Sequence, residues 1–109
     1  MSTYHYFYKI TNNINKKYYY GVHNTNNLND GYMGSGKALH KAYEKYGILN
    51  FSKEILKFFN TSEDAFNYER LIVNNDIIKD PNSYNIKTGG DGWLNEINKL
   101  GKVVVTDGI

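Results

Sequence analysis

Apolar positions alternate from the start of the chain. In YHYFYKI (residues 4–10), Tyr4, Tyr6, Tyr8 and Ile10 share one face of an extended segment, the period of two that predicts a β-strand. TNNINK follows and reads as a turn, since Asn tolerates left-handed backbone and bonds to its own neighbours. KYYYGVH (17–23) is a second strand, and two strands joined so tightly form an antiparallel hairpin. After the polar loop NTNNLNDGY the period changes. Leu39, Ala42, Tyr43 and Tyr46 recur at helical spacing over residues 36–46, with Gly47 placed to end the helix. FSKEILKFF (51–59) is a third strand. TSEDAFNYERLIVNNDIIKD opens with Thr61 and Asp64 at capping-box spacing and predicts one long helix to about Ile78, stopped by Pro81. SYNIKTGGDGW reads as a short extended piece and a glycine-rich turn. The order β-β-α-β-α predicts an α+β fold, a small antiparallel three-stranded sheet flanked by helices.

Length and composition narrow the class. The chain has 109 residues, enough for one domain. Residues 1–92 carry the predicted elements and 93–109 form a tail. There is no Cys, which excludes disulfides, thiolate zinc sites and a Cys nucleophile. No apolar run approaches the ~20 residues that span a bilayer, and the N-terminus lacks a signal-peptide core, so no membrane partner is expected and a soluble cytoplasmic protein is. A net charge of +2 says little about nucleic acid. Eleven Tyr and twelve Lys beside a single Arg, Arg70, have two readings. One is an A/T-rich coding sequence. The other is a nucleic-acid surface, with rings for bases and Lys for phosphates.

Residues 31–37, GYMGSGK, have the G-x-x-x-x-G-K shape of a phosphate-binding loop. A nucleotide loop also needs an apolar strand leading in, a Ser or Thr after the Lys, and a doubly wound sheet. Here NTNNLND leads in, Ala38 follows Lys37, and the chain begins with a hairpin. No nucleotide cofactor is expected. Either the glycines only turn the chain, or the helix start and Lys37 hold another phosphate, such as a DNA backbone group.

Three further residues suggest chemistry. If the hairpin turn centres between Asn13 and Ile14, Tyr8 and Tyr19 face each other about 5 Å apart. That is an aromatic pair, or two converging phenols. Glu69 falls among Ala65, Phe66, Ile72, Val73 and Asp76 on the apolar side of the last helix. A carboxylate there is costly unless paired or metal-bound. Its readings are a buried salt bridge to Lys or a ligand for an oxygen-preferring cation such as Mg²⁺ or Mn²⁺. Phenols, a phosphate-binding Lys and a metal carboxylate together fit phosphodiester cleavage.

At this point the chain resembles the GIY-YIG nuclease family. Tyr6-Phe7-Tyr8 stands where the family has Gly-Ile-Tyr, and Tyr19-Tyr20-Gly21 where it has Tyr-Ile-Gly. NYERLIVN resembles its glutamate helix, and SYNIKTGGDG the segment carrying its active-site Asn, here Asn85. The resemblance covers residues 4 to about 92 and is greatest to the catalytic domains of phage homing endonucleases. It implies a Mg²⁺- or Mn²⁺-dependent endonuclease acting on DNA, in the cytoplasm of a bacterial host if phage-encoded. Glu69 is then the metal ligand, Tyr8 helped by Tyr19 the general base, with the sequence leaving open which of the two phenols takes the proton, and Asn85 an orienting group.

Two departures stand out. Tyr6-Phe7 replaces Gly-Ile, and the family's Arg on the first helix is missing. Lys37 is the substitute the sequence offers, with His23 and His40 as further candidates for binding phosphate or protonating the leaving group. Either His also reads as a plain surface residue. The rival class is a catalytically weakened module of the same fold that holds DNA or a protein. The tail GKVVVTDGI is β-prone and ends on a hairpin-turn signal, so it reads either as the first strand of a missing DNA-reading module, the favoured expectation, or as an edge strand docked elsewhere.

Overall fold

A computed structural model describes residues 3–86. The glycine-rich turn after Ile86 and the 93–109 tail lie outside the described residues. Strands β1 (Tyr4–Asn12), β2 (Tyr18–Thr25) and β3 (Phe51–Phe59) form one antiparallel sheet in the order β2-β1-β3. Helix α1 (Lys37–Tyr46) precedes β3, and α2 (Ser62–Ile72) and α3 (Asn75–Lys79) follow it. The α+β sheet expected from the apolar pattern is present. No helix among the described residues is long and apolar enough to cross a membrane.

Central strand β1 is buried on both faces, which is why its alternation is aromatic throughout. Tyr6, Tyr8 and Ile10 pack with Leu39, Ala42 and Tyr43 of α1 and with Phe51. Phe7 stacks on Tyr20 at 5.4 Å and meets Tyr68 of α2 edge-on at 5.1 Å. Such ring pairs contribute roughly 0.5–1.5 kcal/mol each beyond the area they bury. On β3, Leu56 is an extra residue where the pairing with β1 shifts between Phe7 and Tyr8.

The hairpin register differs from the expected one. Tyr8 pairs with Gly21 and Tyr19 with Ile10. The turn is longer than two residues because Asn side chains build it. Asn12 Oδ1 accepts from Ile14 N–H and Asn15 Oδ1 from Lys17 N–H, both at 2.9 Å. The left-handed residue is Lys16 (φ 69°), not one of the Asn residues.

The single long helix is also corrected. Thr61 caps it as expected, its hydroxyl accepting from Asp64 N–H at 3.1 Å. The helix then stops at Ile72, and fully buried Val73 leads into Asn74 in extended backbone. Asn74 Oδ1 accepts from Asp76 and Ile77 N–H at 3.0 and 3.3 Å and starts α3. An Asn oxygen competes with the helical ladder for these donors, so a capping Asn inside a periodic run breaks it. Asn74→Ala is expected to cost about 1 kcal/mol, the usual loss of an N-cap, read as a lower urea midpoint with unchanged slope. An unchanged midpoint would mean the break is set by Val73 burial alone.

Candidate active site

The hairpin puts Tyr8 and Tyr19 on neighbouring diagonal positions, and their ring centroids lie 6.2 Å apart. Their convergence therefore survives the corrected register. Tyr8 is buried, and its phenol lies over the backbone of Gly21. A Cβ on Gly21 would sit 2.3 Å from Tyr8 Oη and 2.6 Å from Cζ. The ring of Tyr19 rests in the same way on Gly36, where a Cβ would come within 2.5 Å of Cε1. Gly34 adopts φ +86°, and a Cβ there would meet Leu39 at 2.6 Å and Ile10 at 3.3 Å. Two glycines of the 31–37 loop thus have a packing reason: they form the bed on which the aromatic core and the second phenol lie.

Burial sets the electrostatics of the pair. Desolvation pushes the Tyr8 phenol far above its ordinary range, and the neighbouring Tyr19, Tyr32 and Glu69 add to this. Tyr19 is pushed up to about 12, chiefly by burial. Hydrogen bonding to Ser35 and to Tyr8 pulls it the other way. Glu69, half-buried on α2, is near enough for its charge to act on both phenols. Both Tyr side chains therefore hold their protons at neutral pH in this structure.

The other sequence candidates occupy distinct positions. Lys37 is exposed at the first position of α1, directly after the glycine under Tyr19. His40, in the first turn, has Nε2 2.8 Å from Gly34 O. Since a carbonyl only accepts, the ring carries its proton on Nε2 and ties the loop to the helix. His23, on β2 opposite Tyr6, stacks flat on Tyr32 at 3.6 Å and pairs with Asp30 at 2.7 Å. The bond from His23 holds the Asp30 carboxyl well below its usual range.

Asn85 is buried, and its amide serves the open edge of β2. Its Oδ1 accepts from Tyr20 N–H at 2.9 Å and its Nδ2 donates to Tyr20 O at 2.8 Å. Tyr84 N–H donates to Tyr18 O at 2.7 Å alongside. Asn85 thus pins the backbone next to Tyr19, a positioning task for a buried amide.

Sequence reasoning missed Lys53 and Tyr32. Lys53 Nζ donates to Tyr6 Oη at 2.6 Å and to Tyr32 O at 2.8 Å. Tyr32 meets Tyr8 edge-on at 5.8 Å and carries the His23 ring. Lys53 had a signal: it is two residues from Phe51 and from Ile55, so it shares the strand face of two apolar residues. Tyr32 sits in a polar loop and had none.

Fold and site together define a small α+β domain whose central hairpin carries a phenol pair beside a carboxylate helix. Its relatives share a single theme. Over 95 residues the chain is 53% identical to "Putative endonuclease segB" of Enterobacteria phage T4, covering 87% of this chain and 43% of that protein. It is 54% identical over 91 residues to "Putative endonuclease segE" of the same phage, covering 84% and 44%. To "Endonuclease segA" it is 51% identical over 89 residues, covering 82% and 40%. The chain spans less than half the length of these relatives. No family model and no solved structure matches it.

Proposed function

We propose that the chain is the catalytic part of a DNA endonuclease of GIY-YIG type that hydrolyses phosphodiester bonds with Mg²⁺ or Mn²⁺. The observation that carries this reading is the convergence of Tyr8 and Tyr19 within the field of Glu69. The names of the T4 relatives support it.

The donor chemistry suits such a cation. Mg²⁺ takes oxygen ligands, is held by one or two carboxylates, and completes its shell with substrate phosphate and water. Glu69 supplies the carboxylate. Among the described residues no cluster of three His, Cys, Asp or Glu forms a closed metal site, so binding is expected to tighten when a DNA phosphate joins. When bound, the ion supplies charge neutralisation at the scissile phosphate.

The residues divide the remaining work. Tyr19 is the more exposed phenol, so water at a bound phosphate reaches it before Tyr8. To act as general base Tyr19 must first release its own proton to solvent, which burial opposes in the free chain and cationic charge at an occupied site would favour; the phenolate would then take the proton of the attacking water. Tyr8, with its ring 6.2 Å from that of Tyr19, would support that charge as a neighbouring neutral phenol, since its hydroxyl acts to lower the Tyr19 pKa against the effect of burial. The Tyr8 phenol, too deeply buried to ionise, is thus a positioning group. Asn85 fixes the strand behind Tyr19. Lys37 at the start of α1 meets the phosphate as a point charge, without the bidentate geometry of Arg. His23 is a candidate donor to the leaving group, its ring held by Asp30 and Tyr32.

The test is cleavage of supercoiled plasmid. Tyr19→Phe is expected to lower the single-turnover rate by about 10²–10⁴, the range of a lost general base. Tyr8→Phe should lower it less, because the Tyr8 phenol acts only through Tyr19. If both variants cut at the wild-type rate, the phenols serve packing alone.

A further inference from the structure

The sheet face that carries Tyr8 also carries an ammonium. Lys53 pairs with Ile10 across the β1–β3 ladder. Its Nζ lies 4.9 Å from the ring centroid of Tyr6 and 5.5 Å from those of Tyr8 and Tyr32. Two of its three N–H donors are used, on Tyr6 Oη and Tyr32 O. The side chain is half-buried, and desolvation lowers its pKa, with Asp30 acting the other way. The ion pair seen among the described residues is His23–Asp30, so no described carboxylate lies within pairing distance of Lys53. Taking a charge partly out of water is unfavourable when its counter-charge, here Asp30, acts only from beyond ion-pairing distance. Three ring faces and two acceptors hold the group and leave one donor unspent.

We propose that Lys53 is a phosphate-binding residue of the active site, which meets a non-bridging oxygen of the DNA backbone beside the phenol pair and supplies, from β3, a second cationic contact beside that of Lys37 on α1. The proposal rests on the endonuclease reading for its catalytic consequence. Its binding consequence stands apart from that reading. The competing role is a clamp that ties Tyr32 to the sheet.

The experiment measures DNA binding across a salt series and, separately, plasmid cleavage. The variants are Lys53→Gln, Lys53→Met and Lys53→Arg. Lys53→Gln keeps a donor for Tyr6 and Tyr32 but loses the charge, so it folds if the clamp is what matters. A lost phosphate contact flattens the plot of log binding constant against log salt by about 0.9. Lys53→Gln and Lys53→Met are expected to show that loss and to cut about 10²-fold more slowly, the scale of one removed transition-state donor. Lys53→Arg should recover both. A wild-type salt slope in folded Lys53→Gln would overturn the proposal, as would an Arg variant no better than Gln. If the wild-type chain does not cut at all, the endonuclease reading fails, and the salt slopes still decide whether Lys53 meets phosphate.

Discussion

Gly21→Ala is expected to lower DNA cleavage by about 10² or more and to destabilise the fold by about 1–3 kcal/mol, the usual cost of overpacking a core. The methyl would have to occupy space 2.3 Å from Tyr8 Oη. Tyr8 has no room to retreat. It is 1% exposed, and Tyr6 and Tyr32 pack against its ring edge-on. A shift of the phenol by an ångström carries the Tyr19 contact with it, and misplacement of that size costs about 10² in rate. A double-mutant cycle isolates the cause. In a Tyr8→Leu background, which removes the phenol that a Gly21 Cβ would meet, the stability cost of Gly21→Ala should largely vanish, because residues in contact are not additive. Equal costs in both backgrounds would place the effect elsewhere in the strand.

Glu69→Gln should have the larger effect on rate, about 10³-fold or more, with the thermal midpoint little changed. The amide keeps the shape and hydrogen-bonding reach of the carboxylate but not the charge that a hard divalent cation requires. Glu69 is half-buried rather than sealed in the core, so the isosteric neutral side chain fits its place. Replacing Mg²⁺ by Mn²⁺ should not restore the variant, since both ions need the same anionic ligand. Near-wild-type cutting by Glu69→Gln would remove Glu69 from the metal site.

Much of this architecture is legible in the chain. The stripe of Leu39, Ala42 and Tyr43 is the buried face of α1, and Gly47 ends it with φ +87°. Thr61 caps α2 by the bond its spacing implies. What escapes reading is side-chain competition with the backbone. Asn12, Asn15 and Asn74 each accept main-chain N–H bonds, and each thereby moves a boundary that periodicity alone places elsewhere. At the site, the phenol pair and Glu69 were visible as residue types in an unusual setting. The meaning of the glycines was not. Gly34 and Gly36 look like an anion loop in sequence, whereas in space their missing side chains make room for Leu39 and Tyr19. Asn85 is singled out only through the family resemblance, and its two bonds to the Tyr20 backbone depend on the 82–85 segment returning to the edge of β2, a long-range pairing that no local pattern encodes.

The central claim is that Tyr8, Tyr19 and Glu69 form a metal-assisted phosphodiester-cleaving site, and one measurement reaches it most directly. Supercoiled plasmid is incubated with the full chain in Mg²⁺, in Mn²⁺, and in excess chelator, with Glu69→Gln run in parallel. The account predicts nicked or linear product with either ion, none with chelator, and full recovery when Mg²⁺ is added back, with Glu69→Gln inactive throughout. Cleavage undiminished by excess chelator, or intact plasmid under every condition while the folded chain still binds DNA, would contradict it.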